Sequence, residues 1–132
     1  MARYAREIDA DLRTEHVDGV LLVATRGSGT RSGVTIAKEL GREGLPTVIV
    51  TSLTDVALKV GANRVLRGAS FSSPCGRPGI DVADERRFRL ALVRRAVEIL
   101  GLRRSPHALR PRRVLSRREN LCVSLSRRRS AP

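Results

Sequence analysis

The stretch Val20-Leu21-Leu22-Val23-Ala24-Thr25-Arg26-Gly27-Ser28-Gly29-Thr30-Arg31-Ser32-Gly33 joins an apolar run to a glycine-rich loop, and its reading decides the fold. Val20 to Val23 has the length and β-branched content of a strand covered on both faces, as in a parallel sheet. After the loop, Val34, Ile36, Ala37 and Leu40 recur at helical spacing, with Lys38, Glu39, Arg42 and Glu43 on the other side and Gly44 as the stop. An amphipathic helix therefore follows. A strand-loop-helix unit aims the first free N–H groups of the helix, and the positive end of its dipole, at the loop. Thr25, Arg26, Gly27, Ser28, Thr30, Arg31 and Gly33 are the candidate anion-binding residues. No Gly-Lys-Ser/Thr ending is present and the glycines do not fall as Gly-x-Gly-x-x-Gly, so neither nucleotide motif is met. A tight strand-to-helix connection without a ligand is the competing reading.

Downstream, Thr47 to Thr51 reads as a second buried strand, entered through Pro46. Ser52 or Thr54 with Asp55 can cap a short helix over Val56, Ala57, Leu58 and Val60, which Gly61 ends. Arg64 to Leu66 supplies a third strand. The β-α-β-α-β order predicts an α/β domain of three layers around a short parallel sheet with right-handed crossovers. Binding sites in such sheets lie beyond the carboxyl ends of the strands. There Arg26, Thr51, Ser52, Arg67 and Ser70 are expected to converge, while Asn63 and Arg64 sit at the opposite edge or turn inward, closing the helix and bridging to backbone carbonyls or contacting a ligand.

Flanking helices complete the domain. Ala2 to Glu15 is amphipathic, with Tyr4, Ala5, Ile8 and Leu12 on one side; His16, Asp18 and Gly19 turn the chain into the first strand. His16 reads as a capping or solvated residue rather than an acid-base group. A long helix opens at Asp81 or Asp84 and runs through Leu100, with Phe88, Leu92, Val93, Ala96, Val97 and Leu100 as its apolar stripe. Arg86, Arg87, Arg89, Arg94 and Arg95 face solvent or a partner.

Several stretches from Val17 to about Leu102 resemble the C-terminal part of the selenoprotein B family of glycine, sarcosine, betaine and D-proline reductases. In that family a strand ends in Thr-Sec-Gly-x-Cys-Thr-Arg-Cys-Gly and runs into a helix containing Lys-Glu; Thr25, Gly27, Thr30, Arg31, Gly33, Lys38 and Glu39 match. Gly44-Leu45-Pro46-Thr47-Val48 resembles the family's Gly-Ile-Pro approach to the next strand. Val60-Gly61-Ala62-Asn63-Arg64-Val65 resembles its Val-Gly-Ala-Asn-Arg signature, so Gly61, Asn63 and Arg64 are signature positions. Pro74, Gly76 and Pro78 fit its Pro-Leu-Gly-x-Pro turn, with Cys75 in place of leucine as a small apolar filler. The resemblance implies an oxidoreductase line that cleaves a C–N bond with dithiol-derived electrons, beside a partner subunit carrying a pyruvoyl group.

The departures fall on the redox atoms. Arg26 stands at the family's selenocysteine, Gly29 at its first cysteine and Ser32 at its second. The chemistry needs a selenolate or thiolate nucleophile and a resolving thiol. Arginine stays protonated and has no lone pair to offer, yet it can hold a carboxylate. The expectation is an intact fold with no catalytic residue intact and no activity alone, and a small carboxylate, phosphate or amine as the ligand of the crevice. No cofactor bound by this chain is expected. The family members resembled are longer at the N-terminus, which leaves a short homologue, a split subunit and a truncated product as alternatives.

Composition sets the remaining bounds. The chain has 132 residues, a formal net charge of +13, two Phe, one Tyr and no Trp, so its core is aliphatic. Cys75 and Cys122 are too few for a disulfide framework and have no metal-ligand spacing with His16 or His107, so no metal site is expected. No run is long enough to span a bilayer, and the charged start is unlike a signal peptide. A cytoplasmic protein is expected. Residues 1–102 form the predicted domain; residues 103–132 hold ten arginines against Glu119, a formal +9 of the total, and read as a disordered tail. Such a tail can hold nucleic acid only weakly and without sequence preference, since it has phosphate-binding charge but no aromatic side chains.

Overall fold

The computed structural model describes residues 2–101 and 123–125. Four helices and four strands follow one another as α1 (Ala2–Thr14), β1 (Val20–Val23), α2 (Arg26–Arg42), β2 (Thr47–Thr51), α3 (Thr54–Val60), β3 (Arg64–Arg67), α4 (Val82–Gly101) and β4 (Val123–Leu125). The sheet order is β1-β2-β3-β4. The first three strands are parallel, with Val20 beside Thr47 and Thr51 beside Arg67, while β4 runs antiparallel against β3. The α/β, three-layer expectation holds for the parallel strands. The fourth strand comes from the segment read as a disordered tail; the rest of that segment lies outside the described residues.

Two cores sandwich the sheet. On one face, Val34 of α2 and Ala57 of α3 pack on Ile49 and Val65, joined by Ala24 and Ala62. On the other, Leu92, Ala96 and Ile99 of α4 pack on Val48, Val50 and Leu66, with Phe88, Cys75 and Leu100 at the margin. Alternating side chains of β2 feed both cores, and all five of its residues are buried. Gly33 sets the spacing of the first core, because a Cβ there would lie 3.0 Å from Ile49 Cδ1. The glycine is a contact point between helix and sheet as well as a member of the expected anion loop.

The strand β1 departs from its expectation. It is an edge strand, its residues are only half-buried, and Val23 is 50% exposed. Apolar content alone does not separate a central strand from an edge strand whose neighbour lies elsewhere. The two flanking helices also bury different stripes from those expected. Ala5 and Asp9 are the buried residues of α1, which packs on α2, leaving Tyr4 and Ile8 exposed. Asp9 is tolerated there because its Oδ2 accepts from Arg13 Nε at 2.7 Å, and Arg13 also donates to the Glu43 carbonyl at the end of α2. In α4 the buried line is Leu92, Ala96 and Ile99, while Val93 and Val97 are exposed.

Helix ends follow local chemistry. His16, at φ 54°, is the left-handed residue that closes α1, and the Val17 N–H returns to the Leu12 carbonyl at 3.0 Å. This matches the capping reading of His16. Gly61 closes α3 in the same way, with the Ala62 N–H 3.0 Å from the Ala57 carbonyl. The start of α3 differs from expectation: Leu53 is its N-cap and neither Ser52 nor Thr54 caps it. Asp81 does serve α4, its Oδ2 accepting from the Ala83 N–H at 3.0 Å.

Candidate functional site

The carboxyl ends of β1, β2 and β3 bring together Thr25 and Arg26, Thr51 and Thr54, and Arg67. The expected loop is shorter than the sequence suggested, because α2 begins at Arg26 and residues 26–33 form its first two turns. Tertiary support overrides the low helix propensity of three glycines and two serines. Arg26 sits at the apex of the strand-to-helix turn with φ 58°, a left-handed conformation unfavourable for a residue with a Cβ. Thr25 is extended, stands at the N-cap and makes no side-chain capping bond to the helix. Cβ atoms added at Gly27 and Gly29 would meet nothing within 4 Å, so the first turn borders open space.

Behind this turn lies a directed chain of hydrogen bonds. The Leu53 N–H donates to Thr51 Oγ1 at 3.1 Å, the hydroxyls of Thr51 and Thr30 are 2.9 Å apart, and Thr30 Oγ1 donates to the Arg26 carbonyl at 2.8 Å. The single hydroxyl proton of Thr30 is used on Arg26, so Thr51 is the donor between the two threonines. Thr30 and Thr51 are fully buried. Thr30 therefore holds the floor of the site and is not open to a ligand.

The other expected members divide. Arg67 is half-buried and donates through Nη2 to Thr54 Oγ1 at 3.0 Å; its Nε is buried with no hydrogen-bond partner among the described residues. Ser70 is turned into its own loop, donating to the Ser73 carbonyl at 3.2 Å and accepting from the Ser73 N–H at 3.0 Å. Gly33 packs on Ile49, and Arg31 is exposed along α2. Gly61 and Asn63, just before β3, and Arg64, its first residue, lie at the far end of the sheet, where Asn63 approaches Gly41 near the end of α2. Of the three positions read as redox sites, Arg26 and Gly29 are at the first turn and Ser32 is a further turn along the same helix.

A groove of 560 Å³ adjoins the site, and the sequence reading missed it. Its walls are Leu21 and Val23 of β1, Leu92 and Val93 of α4, and residues 72–76 with Pro78, and Thr25 also lines it. The Glu85–Arg89 ion pair, at 2.8 Å, lies on its rim. Cys75 also lines it; burial pushes the thiol pKa up, and the charge of Arg89 only partly opposes the shift. A raised pKa keeps the sulfur a thiol near neutrality and therefore a poor nucleophile. Among the described residues no cluster of three or more His, Cys, Asp or Glu side chains could hold a metal ion, and no helix is long and apolar enough to cross a membrane.

An α/β domain with a polar crevice at its parallel strand ends and an apolar groove beside it is the class this geometry defines. Comparison with known proteins narrows it. The chain is homologous to subunits of amino-acid reductase complexes. It is similar to the glycine reductase complex component B subunit gamma of Symbiobacterium thermophilum, 41% identical over 97 residues, which are 74% of this chain and 23% of that subunit. The betaine reductase complex component B subunit beta of Peptoclostridium acidaminophilum is 37% identical over 99 residues, 75% of this chain and 23% of its own length. The sarcosine reductase complex component B subunit beta of the same organism is 31% identical over 97 residues, 74% of this chain and 22% of its own. The chain thus spans about a quarter of the length of the relatives it matches. No family model matches it, and no solved structure does.

Proposed function

We propose that this chain is a divergent component B-type subunit that occupies a place in a reductase complex without performing reductive C–N cleavage alone. The observation that supports this reading is the placement of Arg26. It holds the apex of the turn between β1 and α2 in a strained left-handed conformation, the kind of position at which folds store strain for function. The family resemblance puts selenocysteine there, and cysteines at Gly29 and Ser32. A guanidinium cannot attack a substrate, and neither glycine nor serine can resolve a selenide or sulfide bond.

The same residues favour retention of a small carboxylate or phosphate. Arg26 offers a planar pair of donors beside the first turn of α2, which receives no side-chain cap from Thr25. Arg67 adds positive charge at the end of β3. In this reading the crevice binds without turnover, and Arg26 is its anchor. The cytoplasm is its proposed compartment, and the pyruvoyl group implied by the resemblance belongs to a partner subunit.

The test is dithiol-dependent reduction of glycine, sarcosine, betaine and D-proline with a pyruvoyl-bearing partner subunit present. The natural chain is assayed beside an Arg26→Cys, Gly29→Cys, Ser32→Cys triple variant. Open space at Gly29 accommodates the new side chain there. Silence from the natural chain and turnover by the variant is the expected pair of results. Turnover by the natural chain overturns the proposal and sends the search for a nucleophile to Cys75.

A further inference from the structure

We propose that the groove between β1 and α4 is the docking site for an amphipathic helix of a partner polypeptide, acidic along its flanks, which completes the helical layer over β1. The inference rests on the reading of the chain as a complex subunit and identifies the surface through which it assembles.

Layer geometry comes first. Among the described residues, helices cover β2 and β3 on both faces of the sheet; on the second face Leu21 of β1 reaches only the margin of the α4 core, and Val23 is 50% exposed. Leu21 and Val23 point to that face and line the groove. A parallel strand only partly covered on one face is an incomplete arrangement, because βα units ordinarily bury such strands between helices.

The exposed side of α4 specifies what fits. Leu90, Val93 and Val97 follow one another at intervals of three and four residues, forming a second apolar stripe apart from the buried Leu92, Ala96 and Ile99. That spacing is the seam of a helix packed along another helix. Leu90, Val93 and Val97 are 49%, 46% and 60% exposed, and Val93 carries the stripe into the groove. An extended peptide or a small ligand would use the groove but leave the stripe bare; a helix alongside α4 covers both.

Charge selects the partner. On α4 the ion pairs Asp84–Arg87, Glu85–Arg89 and Glu98–Arg95 involve neither Arg86 nor Arg94. Both are exposed beside the stripe. Acidic flanks on the incoming helix complement them. A second copy would set the same arginines, on a chain of formal charge +13, against themselves. Most of each relative's polypeptide lies outside the shared stretch, with 23% of the Symbiobacterium subunit matched, so a larger assembly has ample chain to supply the missing helix.

The experiment titrates the full chain into a fluorescein-labelled helical peptide of about 20 residues, long enough to form a helix. The peptide carries leucines at heptad seam positions and glutamates on both flanks, and the readout is fluorescence anisotropy. Saturable binding is expected. It should weaken about tenfold or more in a Val93→Asp, Val97→Asp variant, in an Arg86→Glu, Arg94→Glu variant, and when lysines replace the glutamates of the peptide. Higher salt should weaken it too. All four positions are exposed, and circular dichroism verifies that the variants fold. Absence of saturable binding, or binding indifferent to both variants, overturns the proposal. A homodimer in light scattering that Val93→Asp, Val97→Asp abolishes overturns it as well, by giving the face to a second copy. Because no substrate enters this assay, its result is independent of the reductase test; Arg26→Ala should leave peptide binding unchanged.

Discussion

The hydroxyl of Thr30, in the first turns of α2, lies 2.9 Å from that of Thr51 at the end of β2, and both side chains are fully buried. The pair ties three elements: Leu53 at the start of α3 donates into it, and it ends on the carbonyl of Arg26. Strain at Arg26 is thus held by a buried polar chain.

That chain makes Thr51 the costlier residue to replace. Thr30→Val should lower unfolding free energy by about 1–2 kcal/mol, because it leaves a buried hydroxyl without its acceptor. Thr51→Val should cost more, since the Leu53 N–H also loses its acceptor. The two losses should be non-additive in a double-mutant cycle by urea denaturation, as expected of residues in one network. Simple additivity would remove the coupling inferred from the geometry.

The conformation of Arg26 predicts an order among its substitutions. At φ 58°, glycine is free of the Cβ penalty while alanine is not, so Arg26→Gly should be more stable than Arg26→Ala by about 1 kcal/mol. Thermal melts of the two variants decide the point. Both should lose affinity for acetate or inorganic phosphate if Arg26 anchors an anion, as read from amide shifts of Gly27 and Ser28.

Glycines of the domain should respond in opposite directions. Gly29→Ala meets nothing within 4 Å inside a helix and should stabilise by about 0.5–1 kcal/mol. Gly33→Ala forces Ile49 to shift from a 3.0 Å contact and should destabilise. Gly68→Ala should be worse, by about 1–3 kcal/mol, because its Cβ would lie 2.6 Å from Pro74 Cβ and 2.7 Å from the Pro74 carbonyl. Chemical denaturation of the three variants ranks them.

For Cys75 the prediction concerns pH. Burial raises its pKa, so the native state keeps its proton at pH values where the unfolded thiol, with a pKa of about 8.5, has begun to ionise. Stability from this group is complete below the unfolded pKa and is lost as pH rises through the folded one. In a Cys122→Ser background, iodoacetamide should alkylate Cys75 slowly at neutral pH, with the rate rising at higher pH than for the urea-unfolded chain. Equal pH profiles would contradict the burial argument.

Much of the fold was legible because its signals are local. The apolar runs at 20–23 and 47–51, the stop at Gly61 and the helical periodicities depend only on neighbours in sequence, and each produced the expected element. The family resemblance was legible for the same reason, being carried by short ordered motifs, and homology over 97 residues accords with it. Less legible was which apolar stripe of a helix faces inward. On α4 the residues Val93 and Val97 are as apolar as the buried Ala96 and Ile99, and hydropathy alone does not choose between two adjoining stripes. Spacing held a signal, since Leu90, Val93 and Val97 form a separate seam.

By itself, the sequence determined that this is an α/β domain of parallel strands, with Arg26, Gly29 and Ser32 at the turn after the first strand and no thiol among them. Tertiary structure alone decided that β1 is an edge with Val23 half exposed, that Thr30 belongs to a buried hydroxyl chain, and that Val123–Leu125 closes the other side of the sheet. The reason is physical. Propensity and periodicity act over a few residues, whereas strand order, burial and hydrogen-bond partners depend on segments that meet only when the chain is folded.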